Sequence, residues 1–318
     1  MEKKNRGRKR RFIPDECNHI YQRTTGGKIL FYDREDFLIC YMIISVTARK
    51  HSIRMLELCM MVDHIHMLIE AESRERMADF IRDYSSVFIH EYNTSIGRHG
   101  QMFHKSYGNA PKKGDKKMRS TIVYIGNNPV EKRLSERAEG YRWNFLRYFV
   151  DRNPFSQKVP VKSYSRALSG FIRLVDRAAE SGCYLNYNML RSIFSRLQGN
   201  EVELMTDHII MAYFPFDENG ILGFYDDWKQ MVDAMHSTSG SEYDLDEKVY
   251  PGSDQIYGKM IEFVRRELAV SPVRAVTVLP VERKLEIAGL LMLHTGASKY
   301  EVAKFLHLNH VDDPDMGS

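Results

Sequence analysis

RMLELCMMVDHIHMLIE, residues 54–70, decides the fold of the first half of the chain. It is too apolar on both faces for a surface strand and suits one or two central strands with a bend between them. Within it, His64-Ile65-His66 sets two imidazoles at i and i+2. Such residues share one face of a strand, roughly 6.6 Å apart along it, while Ile65 points toward the core. A buried imidazole needs partners for its ring nitrogens. Two of them beside Val62 and Leu68 suit a shared cation better than simple packing. Asp63 faces away from the pair in a regular strand and reads as structural.

Working outward, CNHIYQRTT (17–25) alternates and ends at Gly26-Gly27, a strand and a turn. Asp33 can cap a helix from Arg34 to about Lys50, with Asp36 in its first turn. Ser73 caps an amphipathic helix reaching about Ser95, with Met77, Phe80, Ile81, Tyr84, Val87 and Phe88 inside. Residues 97–119 read as loop. A helix from about Met118 to Asn127 should stop at Asn128-Pro129, because a residue before proline avoids the α region. Strand, helix, strands, helix is the order of an α+β ferredoxin-like antiparallel sheet with helices. Helical periodicity takes over beyond Asn153-Pro154. The expected division is therefore a basic arm over 1–16, a sheet domain over 17–150 and a mainly α-helical domain over 160–318.

Tyr124 and Asn128 lie four residues apart, on one face of their helix. A tyrosine hydroxyl, with a pKa near 10, is a poor nucleophile at neutral pH. Beside a divalent cation that also polarises a phosphodiester, its attack on phosphorus becomes feasible. Asn128 could supply an oxygen as third ligand beside His64 and His66. Taken alone, the helix allows a plainer reading: a core tyrosine and an asparagine that ends a helix.

MVDHIHMLI, followed some 60 residues later by YIGNNPV and then YRWNF, resembles the single-tyrosine HUH transposases, and within them the REP-associated tyrosine transposases. The resemblance covers about residues 17–150, with CNHIYQRTT matching the first strand and FHKSYG the loop before the tyrosine helix. It implies that His64 and His66 are the HUH ligands and that the metal is Mg²⁺ or Mn²⁺. It also implies that Tyr124 cuts single-stranded DNA near a hairpin, forming a 5′-phosphotyrosine and freeing a 3′-hydroxyl. Asn128 stands where relatives often carry glutamine or another polar ligand. His104 and Tyr107 are runner-up ligand and nucleophile. The alternatives are a non-catalytic hairpin-binding or regulatory descendant and a replication-initiator or relaxase-type nickase. Absence of a Gly-x-x-x-x-Gly-Lys loop agrees with transesterification, which needs no nucleotide.

Charge supports a polyanionic partner for the first half only. Residues 1–150 hold 28 Lys+Arg against 18 Asp+Glu, the remainder 18 against 24. Lys112, Lys113, Lys116, Lys117 and Arg119 precede the tyrosine helix and could neutralise phosphates. Arg8, Arg10 and Arg11 belong to a basic tail able to fold onto DNA. Tyr141, Trp143 and Phe145 read as core, with base stacking as the alternative. Residues 281–307 read as two helices around a turn, with Gly296 at C′ and a Ser298–Glu301 capping box. In that helix-turn-helix-like unit, Lys299 and Lys304 fall on the exposed side of a would-be recognition helix. Four cysteines without CxxC spacing read as reduced thiols. The longest apolar run, Phe37 to Val46, is too short for a membrane helix. A cytoplasmic monomer or homodimer is the expectation.

Overall fold

The structure, a computed structural model, describes residues 12–14, 16–237 and 253–308. Arg8, Arg10 and Arg11 lie outside the described residues. The chain runs β1 (Cys17–Arg23), α1 (Arg34–Lys50), β2 (Arg54–Met60), β3 (His64–Glu70), α2 (Arg74–Ile96), β4 (Gly108–Lys112) and α3 (Asp115–Glu131). The four strands form one antiparallel sheet in the order β2-β3-β1-β4. Helices α1 and α2 pack on each other, and Tyr84 of α2 reaches Gln22 of β1. Helix α3 packs on β2, β3 and β4.

Local chemistry sets the main boundaries. Asp33 and Asp36 form a reciprocal capping box that starts α1 where the sequence places it. Ser73 Oγ accepts from the Arg76 amide, 3.1 Å, and starts α2. Gly97 ends that helix with φ +67°, a conformation costly for any residue with a Cβ. Two expectations need correction. The stretch over 97–119 is not all loop: residues 108–112 add an edge strand to β1 and α3 begins at Asp115. Nor does the helix stop at Asn128, since Pro129 sits inside it. Ten consecutive positions near this end are almost all buried, so packing holds one more turn although Pro129 has no N–H to offer.

The remainder is helical: α4 (Arg166–Glu180), α5 (Tyr187–Phe194), α6 (Asn200–Ala212), α7 (Glu218–Leu222), α8 (Trp228–Ser237), α9 (Gln255–Glu267), α10 (Val281–Thr295) and α11 (Lys299–Leu306). Helices α4 to α8 contribute to the same apolar core as the sheet. Helices α9 to α11 build a second core that takes in Ile29, Tyr32 and Val62. Gly296 (φ +74°) and the Ser298–Glu301 capping box form the α10–α11 turn, as the sequence predicts. Tyr141 donates to the Met60 carbonyl at 2.9 Å, Trp143 stacks on Phe37 at 4.4 Å, and Phe145 is buried. Phe145 belongs to the core, and Tyr141 and Trp143 are half-buried against it. Among the described residues no helix is long and apolar enough to cross a membrane.

Candidate active site

The sheet face beneath α3 gathers the aromatic and imidazole side chains. His64 and His66 project from β3 with ring centroids 5.0 Å apart and planes at 85°. Tyr124, from α3, lies edge-on to His66 at 5.6 Å and 89°. Asn128, one turn further, donates from Nδ2 to the Tyr124 carbonyl at 3.0 Å. Its side chain is also close enough to His66 to favour that ring's protonated form slightly. The histidine pair and Tyr124, 58 or more positions apart in the chain, therefore meet.

Three further side chains complete the cluster, all from β1, whose residues 19, 21 and 23 share the face of His64 and His66 through the β1–β3 register. His19 Nε2 lies 3.0 Å from His66 Nδ1, and the His19 ring is 5.8 Å from Tyr124. Tyr21 sits 5.4 Å from His64 and 5.0 Å from His66. Arg23 Nη2 donates to Asp63 Oδ2 at 2.9 Å. Asp63 does not face away. β3 starts only at His64, so strand alternation does not govern residue 63, and its Oδ1 lies 2.5 Å from His64 Nδ1.

Burial governs the electrostatics. His64 is 4% exposed, His66 fully buried and Tyr124 6% exposed. Desolvation, then His64, His19 and Arg23, push the His66 imidazole well below the usual histidine range, so the ring is neutral at pH 7. Burial alone would raise the Asp63 carboxyl, but His64, Arg23 and Lys304 hold it below the carboxylate range. His64 Nε2 is buried without a hydrogen-bond partner among the described residues. Nor is there among them any group of three His, Cys, Asp or Glu side chains arranged to hold a metal.

The other residues singled out from sequence fall differently. His104 is exposed and its Nδ1 lies 2.9 Å from Ser106 Oγ. Tyr107 is half-buried and close enough to Tyr84 of α2 to act on it electrostatically. Lys113, Lys116, Lys117 and Arg119 are exposed, at and just before the start of α3. Lys112 is not displayed: as the last residue of β4 it is 1% exposed. Lys299 is exposed. Lys304 is on the inner side of α11, because Ile29 donates to its carbonyl at 3.3 Å and its ammonium lies over Tyr300 at 4.3 Å. A would-be Cβ on Gly27 would meet that ammonium at 3.0 Å. A cleft of about 190 Å³ opens between this helix and the site, lined by Arg23, Asp63, His64, Lys132, Asp254 and Lys304 among others.

The antiparallel βαββαβ sheet thus carries two neighbouring imidazoles under a tyrosine-bearing helix. Residues 28–128 match the model of the family described as IS200-like transposases, and the resemblance read from the sequence holds over that stretch. A solved REP-associated tyrosine transposase bound to a REP hairpin is also similar, at 13% identity and TM-score 0.38. That likeness covers 50% of this chain and 94% of the other. No curated protein matches.

Proposed function

We propose that this protein is a metal-dependent single-stranded DNA endonuclease and strand transferase of the transposase type, acting at hairpin DNA with Tyr124 as nucleophile. The observation that carries this reading is the Tyr124 ring set against His66 beside His64. In the reaction the Tyr124 oxygen bonds to phosphorus as the P–O3′ bond breaks. The phenolic proton is balanced by the one that the departing 3′-oxygen takes up, leaving a 5′-phosphotyrosine and a 3′-hydroxyl. The new ester conserves the energy of the old one, so the same site can rejoin strands.

His64, His66 and the Asn128 side chain would hold Mg²⁺ or Mn²⁺. The fit rests on His64 Nε2, a buried nitrogen with no hydrogen bond among the described residues, and on a neutral His66. Two imidazoles and one amide leave room for phosphate oxygens, the ligands such hard ions prefer. When bound, the cation would polarise the scissile phosphate. His19 Nε2, 3.0 Å from His66 Nδ1, steadies the His66 ring, and Asn128 is held on the tyrosine helix by its bond to the Tyr124 carbonyl. The cleavage function is assigned to residues 17–150, with the helices beyond 160 as an accessory unit.

The test is a covalent trap. Wild-type protein with labelled single-stranded hairpin DNA and Mn²⁺ should give an adduct in denaturing gels, and Tyr124→Phe should give none. Persistence of the adduct in that variant would reassign the nucleophile. The burial of Tyr124 favours one second reading, a hairpin-binding protein without cleavage, for which wild type would bind the hairpin yet trap nothing.

Lys113, Lys116, Lys117 and Arg119 form the exposed basic approach to α3. Replacing Lys116 and Lys117 with alanine should weaken binding of all single strands alike. It should also reduce the slope of log K against log salt by about 0.7 for each phosphate left without its lysine. Titrations at three salt concentrations check this, and an unchanged slope would remove both residues from the interface.

A further inference from the structure

Asp63 lies outside the pair of imidazoles to which the chemistry is assigned, yet its two carboxylate oxygens are committed in opposite directions. Oδ1 sits 2.5 Å from His64 Nδ1 and Oδ2 accepts from Arg23 at 2.9 Å. The carboxylate is 6% exposed. Paired with Arg23 through Oδ2, it accepts at Oδ1 as well, and the hydrogen between Oδ1 and the ring belongs to His64 Nδ1. A neutral imidazole with its proton on Nδ1 carries its lone pair on Nε2, and this is the atom left buried with no hydrogen bond among the described residues. We propose that Asp63, anchored by Arg23, is a positioning residue that fixes the His64 tautomer so that Nε2 is presented as a metal ligand. The proposal rests on reading His64 as a ligand, and it extends that reading to residues outside the ligand set. It follows the general rule that a ligating histidine donates its other ring N–H to an orienting acceptor.

The anchor gives the idea a specific signature. Arg23 can only donate, and the Lys304 ammonium lies on the same side, about the Gly27 position that is 3.5 Å from Asp63 Oδ2. An asparagine at 63 would therefore turn its carbonyl toward Arg23 and its NH₂ toward His64. Facing a donor, His64 Nδ1 would have to accept, and its proton would move to Nε2. The substitution changes two atoms and no volume, yet it should invert the tautomer.

The readout needs neither DNA nor metal. In ¹⁵N-histidine-labelled, metal-free wild type, the His64 signals (assigned by loss in His64→Gln) should report protonation at Nδ1. In Asp63→Asn they should report protonation at Nε2. Arg23→Met, which removes the ion pair but keeps the carboxylate, should retain the Nδ1–H form. Mn²⁺ binding followed by electron paramagnetic resonance should weaken by about 10- to 100-fold in Asp63→Asn. A wild-type His64 already protonated at Nε2, or a tautomer unmoved by Asp63→Asn, would overturn the proposal and leave Asp63 as a tie between β1 and β3. If the tautomer behaves as expected but wild type binds no Mn²⁺, the positioning stands and the metal reading of the site fails.

Discussion

Arg274→Met should cost about 3–5 kcal/mol of stability, the usual penalty for removing one partner of a buried ion pair. Arg274 is 1% exposed, and its Nη1 lies 3.0 Å from Asp36 Oδ1 and 3.9 Å from Asp33 Oδ2. Its guanidinium also covers the Tyr187 ring at 3.9 Å, and Tyr187 donates to Asp36 Oδ1 at 3.0 Å. One side chain thus joins the start of α1, α5 and the segment leading to α10. Burial pushes the Asp36 carboxyl up to about 6 even with Arg274 present to lower it. A raised carboxyl stabilises the fold most below its unfolded pKa near 3.9, and that contribution is lost as pH rises through the folded value. Without Arg274 the folded value moves higher still, so the decline continues further into neutral pH. The deficit of Arg274→Met should therefore be smaller at pH 5 than at pH 8. Denaturant midpoints at the two pH values check both the size and the trend. A deficit under about 1 kcal/mol at pH 8, where a surface pair would fall, would show that this ion pair is not an effective tie.

What could be read in advance follows from what is local. Asp33 and Ser73 signal the starts of α1 and α2 because a cap is a short-range hydrogen bond written within three residues. The bend between β2 and β3 is legible in the apolar run over 54–70, and the α10–α11 turn in Gly296 and Ser298. β4 is not legible, since Gly-Asn-Ala-Pro-Lys lacks β-branched residues and becomes a strand only because β1 offers it an edge. His64 and His66 share a face by alternation, whereas Tyr124 stands out only through the resemblance of YIGNNPV to the single-tyrosine transposases, since its helix alone allows a core tyrosine. His19 and Tyr21 join the site only through the pairing of β1 with β3, a register no single strand encodes. Lys112 and Lys304 look like surface charge in sequence. The fold buries the first in a strand and turns the second toward Gly27, which are tertiary outcomes.

Glu57→Leu should stabilise the protein, and by more as pH rises. Glu57 lies on β2 and, opposite Leu68, shares the face of His66. It is 1% exposed, and neither carboxyl oxygen has a hydrogen-bond partner among the described residues. Helix α3 closes over it, with the Cβ position of Gly126 3.6 Å from Oε1. Desolvation pushes the carboxyl well above the usual range, so the folded chain carries it protonated at neutral pH. The unfolded chain releases that proton near pH 4.3. Between those values the unfolded state binds fewer protons, and each pH unit removes about 1.4 kcal/mol of stability. A leucine of similar volume does not titrate and leaves no orphaned oxygen, whose burial alone costs about 1–3 kcal/mol. Urea midpoints at pH 5 and pH 8 should therefore separate the two proteins, with the gap wider at pH 8. Parallel pH profiles would mean that Glu57 titrates alike in both states. Water or a counter-charge would then have to reach a carboxylate that lies next to the proposed cleavage site.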